Sequence, residues 1–259
     1  MSETSNTLAG NPAPAARRKP IIAIDGPAGA GKSTLAAHLA RRFGFLNLET
    51  GAMYRALALK AIESDFSFDE EEPLLNLASS TRIQLQPSAE GNRVILDGMD
   101  VSRRVREADV TSAASRVSVH PHLRRWMVEQ QRALGAKGGV VMEGRDIGTT
   151  VFPDAEVKIF LDAAPEVRGN RRFRQTAPTL ASNAGHAPNA TEQAILEEMR
   201  ERDRRDRART ESPLRPADDA VLIDSTAMDL NDVLARAEEI VTSHLASSAA
   251  ARSQGYPAQ

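Results

Sequence analysis

The clearest chemical signal in the chain is a glycine-rich segment that ends in Lys-Ser-Thr. Gly26, Gly31, Lys32 and Ser33 match the pattern G-x-x-x-x-G-K-[ST], with an apolar run before it and an amphipathic run after it. In such loops the backbone N–H groups turn toward phosphate oxygens, the lysine reaches the β- and γ-phosphates, and the hydroxyl can ligate Mg²⁺. A turn that merely joins a strand to a helix would not need this spacing, so the segment predicts a site for ATP or GTP. The residues expected to line it are Gly26, Pro27, Ala28, Gly29, Ala30, Gly31, Lys32, Ser33 and Thr34.

A second polar group follows the next apolar run, in the segment LETGAMYR. Thr50 stands at the expected end of a strand, and Gly51 permits close approach of a ligand. Arg55 lies one turn into the following helix, where its planar fork could bind a phosphate. Helix capping by Thr50 together with a surface arginine is an equally good interpretation of this segment alone.

A third group lies in the segment VVMEGRDIGT. Glu143, Arg145 and Asp146 come at the C-terminal end of a predicted buried strand, which is the edge of an open α/β sheet where ligands bind. Glu143 could accept hydrogen bonds from water around Mg²⁺, and Arg145 and Asp146 could bind a second ligand. A polar loop with an internal ion pair is the plainer alternative.

A fourth group lies in the segment RERDRRDRART. On a helix Arg202, Asp206 and Arg209 fall at i, i+4 and i+7, so two arginines and one carboxylate share a face. That face suits a phosphate and a ribose diol together. A solvated helix with i,i+4 ion pairs or an RNA-binding patch would use the same residue types. The interleaved aspartates and the lack of aromatic stacking residues count against RNA.

The chain lacks the signatures of two large classes of phosphate-loop protein. It has no Asn-Lys-x-Asp segment to read guanine, and no Leu-Ser-Gly-Gly-Gln segment of the ABC ATPases. Three further polar groups stand instead beside the phosphate loop. They predict a second bound nucleotide.

The pattern of apolar runs predicts how these groups are positioned. Short β-type runs alternate with helical patterns, which is typical of βαβ units and a parallel sheet covered on both faces. The predicted strands are residues 20–25, 45–49, 139–143, 156–161 and 220–224.

One gap in this alternation is too long for a single crossover helix. About ninety residues separate the second and third strands. Within the gap, residues 81–102 predict an antiparallel hairpin that turns at Glu90-Gly91-Asn92, and residues 107–119 and 122–134 predict helices. We interpret the gap as an inserted substrate module.

Composition narrows the class of protein. The chain has 259 residues, a formal net charge of −2 and no cysteine, so disulfides and thiolate metal sites are excluded. No stretch approaches the roughly 20 apolar residues of a membrane span, and the five residues between Lys19 and Asp25 are too few for a signal peptide. We expect a soluble, cytoplasmic protein with disordered tails at residues 1–19 and 246–259 and an irregular, mobile stretch at 175–190.

Taken together, these motifs resemble bacterial cytidylate kinase, a family of nucleoside monophosphate kinases. The segments IAIDGPAGAGKST, LETGAMYR, EGRDIGT, VFPDAEVKIFLDA and ERDRRDRAR occur in the family's order across residues 20–243. The resemblance implies the P-loop NTPase fold, a three-layer α/β fold with a five-stranded parallel sheet, a small antiparallel-β and helical insert, and a lid arm. It implies a kinase core of residues 20–65 and 136–245, a CMP-binding insert of residues 66–135, and a lid arm of residues 163–200.

The resemblance also implies an activity. The expected reaction is in-line transfer of a phosphoryl group from ATP, with Mg²⁺, to CMP and dCMP. The expected partners are these small molecules alone, with no nucleic acid and no membrane, and the expected state is a monomer. The nearest alternatives are a kinase of the same fold acting on AMP, UMP or a non-nucleotide acceptor, and a nucleotide-gated RNA-binding or regulatory protein.

Site residues follow from the resemblance position by position. The acceptor nucleotide is expected to contact Thr50, Arg55, Ser115, Arg124, Arg145, Asp146, Arg202, Asp206 and Arg209. Ser115, Arg124 and Asp146 would read the cytosine edge. Asp206 with Arg202 would hold the sugar hydroxyls. Arg55 and Arg209 would hold the phosphate.

The expected catalytic groups are Lys32, Arg172 and Arg209, with Ser33 as the metal ligand. Arg168, Arg171, Arg172 and Arg174 supply candidates to close over the transferring phosphoryl group. The sequence departs from the family pattern at residues 175–190, which lack the charge expected of the lid arm, at Ser33, where some members have glycine, and at Glu143, where aspartate is common.

Overall fold

The computed structural model describes residues 19–88, 91–182 and 191–254, and a parallel sheet runs through its centre. Five strands lie side by side in one sheet, and three shorter ones form a second, antiparallel sheet. The described strands are β1 (Ile21–Asp25), β2 (Leu46–Glu49), β3 (Ile83–Ser88), β4 (Gly91–Leu96), β5 (Met99–Asp100), β6 (Val140–Glu143), β7 (Val157–Asp162) and β8 (Val221–Asp224). The order across the main sheet is β2-β6-β1-β7-β8, so the strand that precedes the phosphate loop is central.

Helices cover the main sheet on both faces, as the sequence pattern predicts. The described helices are α1 (Lys32–Phe43), α2 (Gly51–Glu63), α3 (Glu71–Ser80), α4 (Ala108–Val117), α5 (Pro121–Gly135), α6 (Pro165–Ser182), α7 (Glu192–Ala208) and α8 (Leu230–Gln254). The apolar β1 is buried on both faces: Ile21 and Ala23 pack with α2, α4 and α5, while Ile22 and Ile24 pack with α1 and α8. The α/β fold class and the five predicted strands are confirmed.

The chain between β2 and β6 holds the three-stranded sheet β3-β4-β5 together with α3, α4 and α5. The side chain of Asn92 attaches the β3–β4 hairpin to the edge strand β2. The buried amide of Asn92 accepts a hydrogen bond from the Glu49 N–H at 2.8 Å and donates one to the Asn47 carbonyl at 2.7 Å. An amide carries both a donor and an acceptor, so it pairs with a strand edge as a neighbouring backbone would.

Two expectations about irregular segments are wrong in part, because a helix extends into each segment. The expected C-terminal tail begins inside α8, which continues to Gln254 because the stretch is rich in alanine, the best helix former, and its first proline is Pro257. The expected loop of residues 175–190 begins inside α6, which continues to Ser182. The predicted tail of residues 1–19 lies outside the described residues except for Lys19, as do residues 183–190 and 255–259.

Among the helices that the structure describes, none is both long enough and apolar enough to cross a membrane.

Candidate active site

The phosphate loop joins β1 to α1 at the C-terminal edge of the central strand. Gly26 has φ +147°, and a Cβ added there would lie 2.0 Å from the Leu161 carbonyl oxygen, so this position requires glycine. Gly31, with φ +99°, directly precedes the first residue of α1. The N-terminal N–H groups of α1 thus follow a loop whose backbone favours glycine at Gly26 and Gly31. A helix N-terminus after such a loop is the arrangement of an anion-binding site.

Lys32 is folded back over this loop. Its Nζ donates a hydrogen bond to the Pro27 carbonyl at 2.7 Å, and its side chain is buried. Burial and the nearby Arg145 guanidinium together lower the pKa of Lys32 to about 7, against the opposing charge of Glu143. A negatively charged phosphate beside the ammonium would reverse this effect and hold the proton.

Ser33 and Glu143 are the described side chains suited to Mg²⁺. Ser33 is exposed at the second position of α1, and Glu143 is buried at the end of β6 with its Oε1 making no hydrogen bond to the described chain. Burial and the Glu49 carboxylate raise the pKa of Glu143. No cluster of three or more His, Cys, Asp or Glu side chains in the described ranges could hold a metal alone. Hydroxyl and carboxylate oxygens are donors that Mg²⁺ prefers, so the Ser33 and Glu143 side chains fit that ion chemically.

A buried ion pair lies across the sheet edge from the loop. Arg124 of α5 donates from Nη2 to the Asp146 Oδ2 at 2.6 Å, and both side chains are almost fully buried. The Arg124 guanidinium also lies 5.7 Å from the centre of the Tyr54 ring and donates to the Ser118 carbonyl at 3.2 Å. Ser115, one turn before Ser118, is buried with an Oγ that makes no hydrogen bond to the described chain.

A second buried cluster surrounds Asp206 on α7. Arg145 donates from Nε to the Asp206 carboxylate at 2.9 Å, and Arg209 donates to its other oxygen. Burial favours the neutral acid, but the Arg145 and Arg209 guanidinium groups lower the pKa of Asp206 to about 2. Arg209 also donates to the Ser118 Oγ at 2.7 Å, so α4 and α7 meet at this cluster.

Positive charge exceeds negative charge in this part of the site. Burial and the Arg145 charge lower the pKa of Arg202 to about 10, which shows how closely the arginines are placed. Arg55 donates to the Glu49 carboxylate at 2.5 Å. Burial would raise the pKa of that carboxyl, yet the Arg55 charge holds the pKa of Glu49 below its usual value.

Several buried donors around these clusters make no hydrogen bond to the described chain. They are the Nε atoms of Arg55, Arg124, Arg202 and Arg209, and the Nη1 of Arg209. Buried donors are normally satisfied, and guanidinium groups are matched to phosphate and carboxylate oxygens. An anionic ligand with several acceptor oxygens would satisfy them.

Thr50 connects the end of β2 to the end of β6. Its Oγ1 donates to the Glu143 carbonyl at 2.7 Å, and its N–H donates to the same oxygen at 3.2 Å. A Cβ on Gly144 would lie 2.8 Å from the Thr50 Oγ1, so the β2 and β6 ends are held tightly together.

Two of the candidate lid arginines, Arg168 and Arg171, donate hydrogen bonds to other parts of the chain. The fully buried Arg168 donates to the Ala28 carbonyl at 2.9 Å and to the Asp203 carboxylate at 2.5 Å, and so joins α6, α7 and the phosphate loop. Arg171 donates to the carbonyl of Ser225 at 2.9 Å. Arg172 and Arg174 are exposed on α6.

The site includes four side chains that sequence reasoning did not assign. Asp25 ends β1, Glu49 pairs with Arg55, Tyr54 lies against Arg124, and Ser118 binds Arg209. Three of these residues, Asp25, Glu49 and Tyr54, lie in the segments IAIDGPAGAGKST and LETGAMYR. Their position next to predicted site residues could have identified them. Ser118 has no motif around it, because its role depends on the packing of α4 against α7.

The family model described as cytidylate kinase matches residues 22–243. A cytidylate kinase of Pelotomaculum thermopropionicum is 49% identical over 216 residues, which are 83% of this chain and 92% of that protein. Cytidylate kinases of Geobacillus thermodenitrificans and Aeromonas hydrophila are each 46% identical, over 88% and 83% of this chain and 99% and 90% of their own lengths.

Proposed function

The chain belongs to the cytidylate kinase family, and on this premise we propose that it transfers the γ-phosphoryl group of ATP to CMP and dCMP. It is a nucleoside monophosphate kinase, with CDP or dCDP and ADP as the products of the proposed reaction. The phosphate loop of residues 26–34 would bind ATP. Residues 66–135, together with Arg145 and Asp146 after β6 and the Asp206 cluster on α7, would bind the acceptor.

One observation carries the proposal: buried guanidinium nitrogens without partners in the described chain lie beside the phosphate loop. The charge of Arg145 and that of Arg202 both act on the pKa of Lys32, so the donor and acceptor sides are electrostatic neighbours. Two polyanions placed so close require this excess of positive charge.

The Arg124–Asp146 pair supports cytosine as the base. Cytosine presents acceptors at O2 and N3 and a donor at its exocyclic amine, which a guanidinium and a carboxylate complement. The unpartnered Ser115 Oγ could add a hydrogen bond from the side. Uracil places a carbonyl where cytosine has the amine, so Asp146 would face an acceptor and disfavour it.

The Asp206 cluster supports sugar and phosphate binding. Asp206 can accept from a sugar hydroxyl, and Arg202 can donate to the same group. The Nε atoms of Arg55 and Arg209 make no hydrogen bond within the described residues, and each could donate to a phosphate oxygen. Arg55 would exchange its Glu49 partner for that phosphate when the acceptor binds.

Phosphoryl transfer in this site would depend on positioning and charge. Ser33 and Glu143 would hold Mg²⁺ with phosphate oxygens, and the bound ion supplies neutralisation of phosphate charge. The acceptor phosphate oxygen attacks the γ-phosphorus as the bond to the ADP oxygen breaks, with Lys32 and Arg209 placed against the negative charge. We assign Arg172 as the lid arginine that closes over the transferred group. Since one chain would supply both halves, we propose that the enzyme acts as a monomer.

The test is ADP release measured in a coupled assay with CMP, dCMP, UMP and AMP as acceptors. We expect CMP and dCMP to stimulate ATP consumption far more than UMP or AMP. A preference for AMP or UMP would assign the chain to another acceptor. If no monophosphate stimulates turnover while RNA binds with a steep salt dependence, the arginine-rich α7 binds nucleic acid and the kinase proposal fails.

A further inference from the structure

Asp25 is a buried carboxylate at the end of β1 that the proposed reaction does not use. Its Oδ1 accepts a hydrogen bond from the Ile147 N–H at 2.8 Å, and its Oδ2 accepts one from the Gly148 N–H at 2.7 Å. The two amides open a helical turn, Ile147–Val151, that directly follows Asp146. The first N–H groups of a helical turn have no partner within it, so Asp25 caps this turn from a different strand.

The capped turn fixes Asp146. The Asp146 carbonyl accepts hydrogen bonds from the Thr150 and Val151 N–H groups at 2.9 and 3.1 Å, so the backbone of Asp146 belongs to the same turn. Room around the turn is small, since a Cβ on Gly148 would lie 3.2 Å from Lys158 and 3.4 Å from the Asp25 Oδ2. A shift of the turn would move the Asp146 carboxylate that pairs with Arg124.

We propose that Asp25 is a positioning residue for base selection, because it ties the turn that carries Asp146 to the strand that leads into the phosphate loop. This inference rests on the proposed function, since base selection has meaning only for a nucleotide acceptor. Burial raises the pKa of Asp25 to about 7, while its hydrogen bonds to Gly148 and Ile147 act in the opposite direction. A carboxylate is costly to bury, and the two backbone N–H groups that donate to Asp25 account for its presence at this position.

The test is the variant Asp25→Asn in the full chain. Asparagine has the same shape but presents one oxygen and one NH₂ group, so it cannot accept from both amides through two oxygens. We expect the ratio of kcat/KM for CMP to that for UMP to fall by about tenfold, through KM for CMP, since one buried N–H group loses its acceptor. The KM for ATP should change little.

Glu156→Gln is the matched control. Glu156, like Asp25, is a carboxylate that accepts from a backbone amide, but its donor is the Ile21 N–H at 2.8 Å, at the opposite end of β1. It should lower the melting temperature without changing the CMP to UMP ratio. An unchanged ratio in a folded Asp25→Asn protein would overturn the inference, whereas a wild-type enzyme without CMP turnover would overturn the proposed function itself.

If Asp25→Asn does not fold, Gly148→Ala tests the same contact from the other side. The added methyl group would lie 3.2 Å from Lys158, which is closer than normal contact, and 3.4 Å from the Asp25 Oδ2, so it crowds this contact while the carboxylate stays. We expect the same fall in the CMP to UMP ratio. A folded Gly148→Ala protein with wild-type selectivity would also overturn the inference.

Discussion

At the scale of single residues, the site is defined by buried charges that satisfy one another in part. Asp206 is almost fully buried, yet Arg145 and Arg209 keep it ionised. Removing one partner from such a cluster leaves the others buried and uncompensated, which typically costs several kcal/mol. The guanidinium nitrogens that have no hydrogen-bond partner among the described residues are suited to the oxygens of an anion.

The pH dependence of stability tests this cluster. The pKa of Asp206 falls from its usual 3.8 to about 2 on folding, so the stabilisation is present above pH 4 and lost as the pH falls toward 2. The lowered pKa corresponds to about 2 kcal/mol of unfolding free energy. In urea unfolding series from pH 6 to pH 2, Asp206→Asn should be less stable throughout but should lack this part of the acid-induced loss.

Asp218→Asn is the control for that series, because Asp218 is exposed. Its acid-induced loss should match that of the wild type. If Asp206→Asn retains the full wild-type slope between pH 4 and pH 2, the carboxylate is not held ionised by the arginines.

At the scale of elements, most of the main sheet could be predicted and most of the packing around the site could not. The runs 20–25 and 139–143 are almost wholly apolar, and such runs become buried central strands. Helix α3 was not predicted, and neither was the helical continuation after residue 245, where serines among the alanines weaken the periodic signal. The segment EGRDIGT predicted Asp146 as a site residue, and the family resemblance implied Arg124. Ser118 and Asp25, by contrast, act through contacts between distant segments.

The attachment of the β3–β4 hairpin to β2 is testable through Asn92. Asn92→Ala removes both hydrogen bonds to the edge strand, so Glu49 and its Arg55 partner lose a fixed position. We expect KM for CMP to rise by about tenfold, with KM for ATP nearly unchanged. Steady-state kinetics with each substrate varied in turn measures both values.

Gln86→Ala in the same hairpin is the control, because the Gln86 side chain is exposed. It should behave as the wild type in both assays. If Asn92→Ala and Gln86→Ala have equal KM values for CMP, the hairpin does not position the acceptor-binding residues through β2.

Arg168 tests how α6 and α7 are joined to the phosphate loop. Arg168→Ala removes the hydrogen bond to the Ala28 carbonyl and leaves Asp203 buried without its partner. We expect KM for ATP to rise by about tenfold and the melting temperature to fall, while KM for CMP changes little.

Arg200→Ala is matched to this variant, because Arg200 also joins α7 to α6, through an exposed pair with Glu166 at 2.7 Å. Exposed pairs contribute little, so its kinetics should be near wild type. An Arg168→Ala enzyme with wild-type KM for ATP would contradict a role for Arg168 in shaping the loop.

At the scale of the whole molecule, the topology brings distant segments to one edge of the sheet. Parallel strands β2, β6 and β1 end side by side, which places Glu49, Glu143 and Asp25 in a row below the phosphate loop. α5 and α7 then supply Arg124 and Asp206 from two segments that are far apart in the sequence. Phosphate loops of this kind occur in proteins with many activities. The buried residues around Arg124 and Asp206 distinguish this site from the others.

The most direct test of the account is the acceptor preference of Asp146→Asn. Asparagine keeps the shape of Asp146 and an oxygen for Arg124, but its NH₂ group can donate to the uracil carbonyl. The account predicts that kcat/KM for CMP divided by that for UMP falls by about 10- to 100-fold, with KM for ATP unchanged. A folded variant that keeps the wild-type ratio would contradict the claim that the Arg124–Asp146 pair selects the acceptor.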